Sequence, residues 1–377
     1  MGNKKSSQRL PWCSLLLASM SVLLAAQAML IVPTVATAAP ARVAATAAPP
    51  PPSVRLRVVG GLGSGNRYSK LERPFWVAEL PRLSGGKFMA DIVPFDRAGV
   101  PPQEMLRMMQ LGVIPFGTAL FSNMAAEAPE MNAPDLAGLN PHIQDVRKAV
   151  AAFRPYLEKT LRERYGVELL AVYVYPPQVL FCQRAFASLA DLSGRRIRVA
   201  STTQWDFVEA LGGVPVRTEF VDIMASIRNR DTECAITAAM AGNTLGLHQI
   251  TTHIHTLPIA WGLSVFAANA AVWTALDPEL KSLLTRELPK LENSIWADSE
   301  RDAIEGIACN TGAAGCVSGR KGSMIAVRSS ADDDRRRQHI FAAKVLPKWL
   351  QRCGTPCTRV WNQTIRSVAN IEAPDSK

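Results

Sequence analysis

The chain contains no Gly-x-Ser-x-Gly elbow that would expose a serine nucleophile, and no His-Glu-x-x-His pair that would hold a catalytic zinc. It also lacks any Cys-x-x-Cys spacing, which argues against a zinc site built from its C-terminal cysteines. Only five histidines occur in 377 residues, and His248, His253 and His255 share one stretch, HQITTHIH. Two of them at i and i+2 on a strand would face the same way, but no third and fourth ligand is organised around them, so ordinary strand histidines are expected. The glycine-rich run Gly60-Gly-Leu-Gly-Ser-Gly65 follows a strand, yet it fits no register of G-x-G-x-x-G and lacks the P-loop lysine. A turn that faces a ligand is expected there in place of a nucleotide site. Nothing organises a covalent or metal-assisted reaction, so no cofactor and no catalysis are expected, with an exported α/β enzyme as the rival class.

What is present begins with a targeting pattern. Lys4, Lys5 and Arg9 precede a largely apolar run from Leu15 to Val35, and Ala36-Thr37-Ala38 followed by Ala39 reads as a small-residue cleavage site. Residues 1–38 are therefore expected to be a cleaved signal peptide and the mature chain to work outside the cytoplasm. The run approaches a membrane span in length, but Gln27 and Pro33 interrupt it. Residues 39–53 are built from alanine and proline, ending in Pro49 to Pro52, and read as an extended spacer. Beyond it no apolar run is long enough to cross a bilayer.

The formal charge of +10 falls to +7 once the three basic residues of the signal are removed. That balance suits an anionic ligand, although Arg335-Arg336-Arg337 directly follows Asp332-Asp333-Asp334, the pattern of a solvated helix face. The basic runs carry no interleaved aromatics, so no nucleic-acid partner is expected. Loss of Cys13 with the signal leaves six cysteines, an even number that favours disulfides in an exported chain. Short glycine-bearing intervals let Cys309 close on Cys316 and Cys353 on Cys357, which leaves Cys182 for Cys234.

Strand and helix patterns alternate through the mature chain: strands at 54–59, 88–93, 113–118 and 169–175, helices at 71–83, 103–111 and 143–165. Such alternation indicates an α/β fold with largely parallel sheets. Asp277-Pro278 opens a long helical pattern to about Ala308, with an N-cap residue followed by a favoured first-turn proline. A helix that long outspans one small domain and is expected to bridge two lobes. The expected division places 54–175 with 264–303 in one lobe, 176–263 with 304–370 in the other, and 371–377 in a tail.

The richest stretch is Leu192 to Gly246. Arg196 to Ala200 reads as a strand, Thr203 to Leu211 as a helix broken by Gly212-Gly213, Val214 to Thr218 as a second strand and Val221 to Arg228 as a second helix. Arg198 lies inside the first, apolar strand, where a charge needs an anionic partner: a ligand, or Glu219 or Glu209 in a structural ion pair. Thr202, Gln204, Thr237 and Asn243 lie at strand ends and would complete an anion's hydrogen bonds. Trp205 would either line the same cleft or fill the core.

This stretch resembles the periplasmic solute-binding subunits of TRAP (tripartite ATP-independent periplasmic) transporters, with their pattern L-x-G-x-x-I-R-V, a helix ending A-L-G-G-x-P-V and a further helix ending I-R. Leu111 to Ala133 and Trp261 to Leu284 resemble two further blocks of that family in the same order, and the likeness extends from about Val54 to about Val368. The resemblance implies a two-lobed, type II-like periplasmic-binding-protein fold, with hinge strands near Tyr175 to Gln178 and Trp261 to Val265. It also implies that Arg198 grips a ligand carboxylate, and that the loaded monomer delivers a small organic acid to integral-membrane TRAP subunits driven by an ion gradient. Two positions depart from the family: Thr237 stands where better-known members carry asparagine, and Gln178 where many sialic-acid-type members carry a second arginine. The ligand class is correspondingly open among organic anions, and another importer or a sensor remains a rival destination.

Overall fold

The computed structural model describes residues 54–373, so the expected signal peptide, the spacer and residues 374–377 lie outside the described residues. The chain is two-lobed, with one mixed sheet in each lobe. The first sheet has the order β2-β1-β3-β10-β4, formed by β1 (Val54–Gly60), β2 (Phe88–Pro94), β3 (Phe116–Leu120), β4 (Val167–Val174) and β10 (Leu263–Asn269). The second has the order β11-β9-β5-β8-β6-β7, formed by β5 (Gln178–Cys182), β6 (Arg196–Val199), β7 (Val214–Arg217), β8 (Cys234–Ala238), β9 (His253–His255) and β11 (Ile325–Val327).

Parallel pairing joins β1 to β2 and β3, β6 to β7 and β8, and β9 to β11. The antiparallel pairs all involve β5 or β10, the strands next to the points where the chain changes lobe. It leaves the first sheet through Tyr175-Pro176-Pro177 into β5 and returns through residues 256–262 into β10. The two crossings run side by side. Gln178 N donates to Ala260 O at 2.7 Å, Ile259 N to Gln178 O at 2.9 Å and Tyr175 N to Gly262 O at 2.7 Å. A hydrogen-bonded ribbon, with prolines on one side to stiffen it, therefore connects the lobes.

Three helices fix this arrangement: α1 (Ile143–Tyr165), α2 (Thr202–Ala210) and α3 (Pro278–Thr311). Asp277 caps α3 by accepting from Glu279 N and Leu280 N, and Gly312 ends it at φ 75°. The middle of α3 seals β4, the open edge of its sheet: Trp296 Nε1 donates to Val172 O and Ser299 Oγ to Val174 O, each at 2.9 Å. The second half reaches the other lobe, where Asn310 Nδ2 donates to Ala239 O at 2.8 Å. Gly306 makes that approach possible, since a Cβ there would stand 2.3 Å from Met240 N and 2.7 Å from the Ala239 carbonyl carbon.

The sequence expectations shift in instructive places. The helix expected from Leu71 begins at residue 66, because wide π turns over Tyr68–Glu72 and Phe75–Glu79 accommodate the missing N–H groups of Pro74 and Pro81. The strand expected at 113–118 is displaced to β3, because Gly112 at φ 72° turns the chain after the preceding helix. Two further helices, α4 (Ala331–Ile340) and α5 (Leu346–Cys353), start a C-terminal segment that touches both sides of the molecule. Asp333 Oδ1 accepts from Leu189 N at 2.8 Å, whereas Arg337 Nη1 donates to Leu139 O at 3.3 Å and Trp349 Nε1 to Pro129 O at 2.9 Å. Disulfides join Cys182 to Cys234, Cys309 to Cys316 and Cys353 to Cys357. The first ties directly opposed residues of β5 and β8.

The contact at Gly306 is with backbone, which cannot move aside as a side-chain tip would. Gly306→Ala should therefore destabilise by about 1–3 kcal/mol and lower Tm by roughly 2–8 °C. Gly315→Ala, whose Cβ would lie 3.4 Å from the Ala308 side chain, should melt within a degree or so of the parent. Thermal unfolding followed by circular dichroism compares the two.

Candidate functional site

β6 runs into Ala200-Ser201, where Ser201 caps α2 by accepting from Gln204 N at 3.2 Å. This tight strand-to-helix turn brings two side chains, Arg198 and Gln204, to the same end of the second sheet. Arg198 sits between Val216 of β7 and Ala235 of β8 and is only 4% exposed. Its Nε donates to Thr218 O at 2.9 Å and its Nη1 to Ile236 O at 2.7 Å. These carbonyls take two of the five N–H groups of the guanidinium.

Among the described residues, no carboxylate oxygen lies within ion-pair distance of Arg198. Glu209 pairs instead with Lys348, and Glu219 acts on Arg198 only through its longer-range field. The structural ion pair expected as an alternative is not formed. Burial lowers the pKa of Arg198 to about 10, with Glu219 opposing and the like charge of Arg217 adding to the fall. The site thus holds a buried cation with no carboxylate in contact with it among the described residues, Glu219 bordering the cavity at longer range.

Arg198 lines a cavity of about 200 Å3, equal to the liquid volume of roughly seven waters. Leu62, Phe95, Leu120 and Leu263 give it apolar walls, and Asn132, Asp135, Gln178, Gln204 and Thr237 give it polar ones. A chain of hydrogen bonds runs along one side. Ala200 N donates to Gln204 Oε1 at 2.8 Å, Gln204 Nε2 to Gln178 Oε1 at 2.8 Å, Gln178 Nε2 to Trp261 O at 2.5 Å, and Trp261 N to Asp135 Oδ1 at 2.9 Å. Both crossing segments of the ribbon are thereby joined to both walls of the cavity. Asp135 ends this chain 8% exposed and, among the described residues, with no cation beside it, so burial raises its pKa to about 7 against the single opposing N–H of Trp261.

Of the residues singled out from the sequence, Arg198, Gln204, Thr237 and Gln178 meet in this cavity. Thr202, Trp205 and Asn243 do not. Successive helix residues are rotated by about 100°, so with Gln204 turned inward, Trp205 is turned away and is 40% exposed. It shares an outer groove with Thr202, Asp206 and Arg352. Asn243 is fully buried elsewhere, clamping the loop after α3: its Nδ2 donates to Arg320 O at 2.7 Å and its Oδ1 accepts from Arg320 N at 2.8 Å.

His253 and His255 share one side of β9, each ring near Phe186. The His255 Nδ1 accepts from Leu257 N at 3.0 Å, and Nε2 lies 3.5 Å from Asp333, a packing role. The glycine-rich turn contributes Leu62 to the cavity, but its glycines serve an internal ion pair. Gly61 N donates to Glu72 Oε2, and a Cβ on Gly61 would collide with the guanidinium of Arg67, which pairs with Glu72 at 2.6 Å. Arg67 Nη2 in turn donates to the hydroxyl of Tyr175, a cavity residue on the ribbon, at 2.6 Å. Asp135, Asn132 and the Arg67–Glu72 pair were missed by sequence reasoning. Asp135 follows Asn132-Ala133-Pro134 and looks like any turn aspartate.

The family described as bacterial extracellular solute-binding protein, family 7, matches residues 71–313. A solute-binding protein of Roseobacter denitrificans is 26% identical over 155 residues, 40% of this chain, and the match spans 46% of that relative's length. In fold, the chain is similar to DctP7, an extracytoplasmic solute receptor of Bordetella pertussis binding pyroglutamic acid, with 18% identity and a TM-score of 0.71 over 83% of this chain and 99% of that one. It is similar to the same degree, TM-score 0.71 at 13% identity over 84% of this chain and 99% of the other, to a TRAP periplasmic solute-binding protein of Desulfovibrio salexigens with bound orotic acid.

The raised pKa of Asp135 carries a consequence for stability. Below the ordinary value of 3.8 the carboxyl is protonated in both folded and unfolded chains, and above about 7 it is ionised in both, with the buried charge opposing folding. Its destabilising effect therefore grows as pH rises from about 4 to about 7. Asp135→Asn keeps an acceptor for Trp261 N–H and should melt above the parent at pH 8, with the difference vanishing by pH 4. Melting temperatures of both proteins at pH 4, 6 and 8 check the sign.

Proposed function

As the chain belongs to bacterial extracellular solute-binding protein family 7, the solute receptors of TRAP transporters, we propose that it captures a small organic carboxylate between its lobes and delivers it to integral-membrane subunits. The observation that carries this reading is Arg198: a cation buried at the end of a strand, pointed into a cavity and held by neutral carbonyls alone. A carboxylate entering the cavity would supply the missing counter-charge and accept from the remaining N–H groups with charge-assisted, directional hydrogen bonds. Thr237 and Gln204 would complete its hydrogen bonds.

The pyroglutamic and orotic acids bound by the two structural relatives are both compact carboxylates, a size in keeping with about 200 Å3. Gln178 in place of an arginine removes a cationic grip at that position, and Arg217 is the other arginine bordering the cavity. Because the cavity takes walls from both lobes, a ligand contacting both would favour the closed arrangement. The N-terminal pattern and the extracellular family support a periplasmic receptor released from a signal peptide.

Screening the refolded, ligand-stripped protein against an organic-acid library by thermal shift should find an acid that raises Tm, since a ligand at 100 times its Kd adds about 2.7 kcal/mol. Titration calorimetry with that acid should show Arg198→Ala weakened by about 2–5 kcal/mol, thirtyfold or more, while the fold is retained. Arg198→Lys should also bind poorly, since a point charge does not replace the planar fork. A change below threefold for Arg198→Ala would sink the assignment.

A further inference from the structure

Asp135 is the second charged group buried in the cavity wall, and the protein leaves it incompletely satisfied. Trp261 N donates to Oδ1, and among the described residues no donor bonds Oδ2. The amides best placed to help are directed to backbone carbonyls instead: Asn132 Nδ2 to Asp135 O at 3.2 Å and Asn140 Nδ2 to Pro134 O at 2.9 Å. No cation stands within ion-pair distance of it among the described residues. Asp135 borders the same cavity as Arg198, on the wall built from the chain that follows β3. A buried carboxylate with an open acceptor, held in place by a ribbon peptide, has the chemistry of a preformed receptor for an N–H or O–H group.

We propose that Asp135 is a specificity-determining residue that accepts a hydrogen bond from the ligand, so that the preferred solute is a carboxylic acid carrying a donor, either a hydroxyl or an amide N–H, away from its carboxylate. This rests on the reading of the cavity as a carboxylate site. Arg198 recognises the acid, which all organic acids share, and Asp135 discriminates among them. An acid lacking the donor would displace water from the open oxygen of Asp135 and leave it unpaired, the situation in which polar sites reject an analogue most strongly.

The test uses matched pairs differing only in the donor: malate and succinate, lactate and propionate, pyroglutamate and 3-oxocyclopentane-1-carboxylate, in which CH2 replaces the lactam N–H. Calorimetric Kd values are measured at pH 8, where Asp135 is mostly ionised, for the parent, Asp135→Asn, Asp135→Ala and Arg198→Ala. In the parent, the donor-bearing member of at least one pair should bind tenfold or more tightly than its partner. Asp135→Asn can keep its carbonyl on Trp261 N–H and turn its NH2 to the cavity, so this preference should fall at least tenfold. Asp135→Ala should reduce it to within threefold, and Arg198→Ala should weaken both members alike. Binding of acids with both members within threefold in the parent, or a preference unchanged in both Asp135 variants, overturns the proposal and leaves the carboxylate reading intact. Binding of none of the six acids by the parent, or binding indifferent to Arg198→Ala, overturns both.

Discussion

A guanidinium buried without a carboxylate is the constraint around which this protein is organised. Arg198 could not lie at the end of β6 if the neighbouring strands did not offer it oxygen, and they do so through Thr218 O after β7 and Ile236 O within β8. Those carbonyls are available because β6 runs parallel to both neighbours and extends into the turn that caps α2. Dipoles lessen the burial cost without neutralising the charge, as the lowered pKa of Arg198 records. The second sheet is therefore built to leave positive potential in a small space lined by apolar side chains, and it is this unfinished electrostatics that gives the cavity its chemistry.

The opposite wall has the complementary character. Asp135 and Arg198 do not pair with each other; each is held by backbone and kept available. Between them runs the amide chain of Gln204, Gln178 and Trp261, which ties the strand-to-helix turn of one lobe to the ribbon and the ribbon to the loop of the other. Side-chain amides suit this task because each offers a donor and an acceptor in a fixed plane, so direction is transmitted without charge. The Arg67–Glu72 pair anchors the same ribbon from beneath through the hydroxyl of Tyr175.

Much of the second sheet was legible because its signals are local. A short apolar strand, a Ser/Thr start and a double-glycine stop define β6 and α2 to within a residue, and Asp277-Pro278 marks the beginning of α3. The disulfides were legible for a similar reason, short loops leaving a single remaining pair. Rotation about a helix axis is what misplaced Trp205, since residues adjacent in sequence face different surroundings. Asn243 was misplaced because its partner, Arg320, lies 77 residues away. Asp135 was invisible for the converse reason: nothing in Asn132-Ala-Pro-Asp135 separates a turn aspartate from a binding one until Trp261 is brought alongside. Asp332 to Arg337 read as a solvated helix face, but in α4 Asp333 and Arg337 are buried; the helices after it escaped notice, as Pro347 and Pro356 and the wide turns at Phe341–Val345 and Trp361–Ile365 break the regular periodicity.

The position of β10 bears on how such a chain reaches its native state. The strand lies between β3 and β4 in the first sheet, so β4 has no neighbour, and β3 only β1, until residues 263–269 have been delivered, long after both were made. The second sheet forms inside that interval, as an insertion in an unfinished partner, and its own outermost strand β11 comes later still. A chain emerging from its N-terminus therefore holds β2, β1 and β3 as an unfinished sheet until β10 arrives. Such an order favours slow, late and concerted folding with high contact order, and it gives holding chaperones a long window in which to act on the nascent chain.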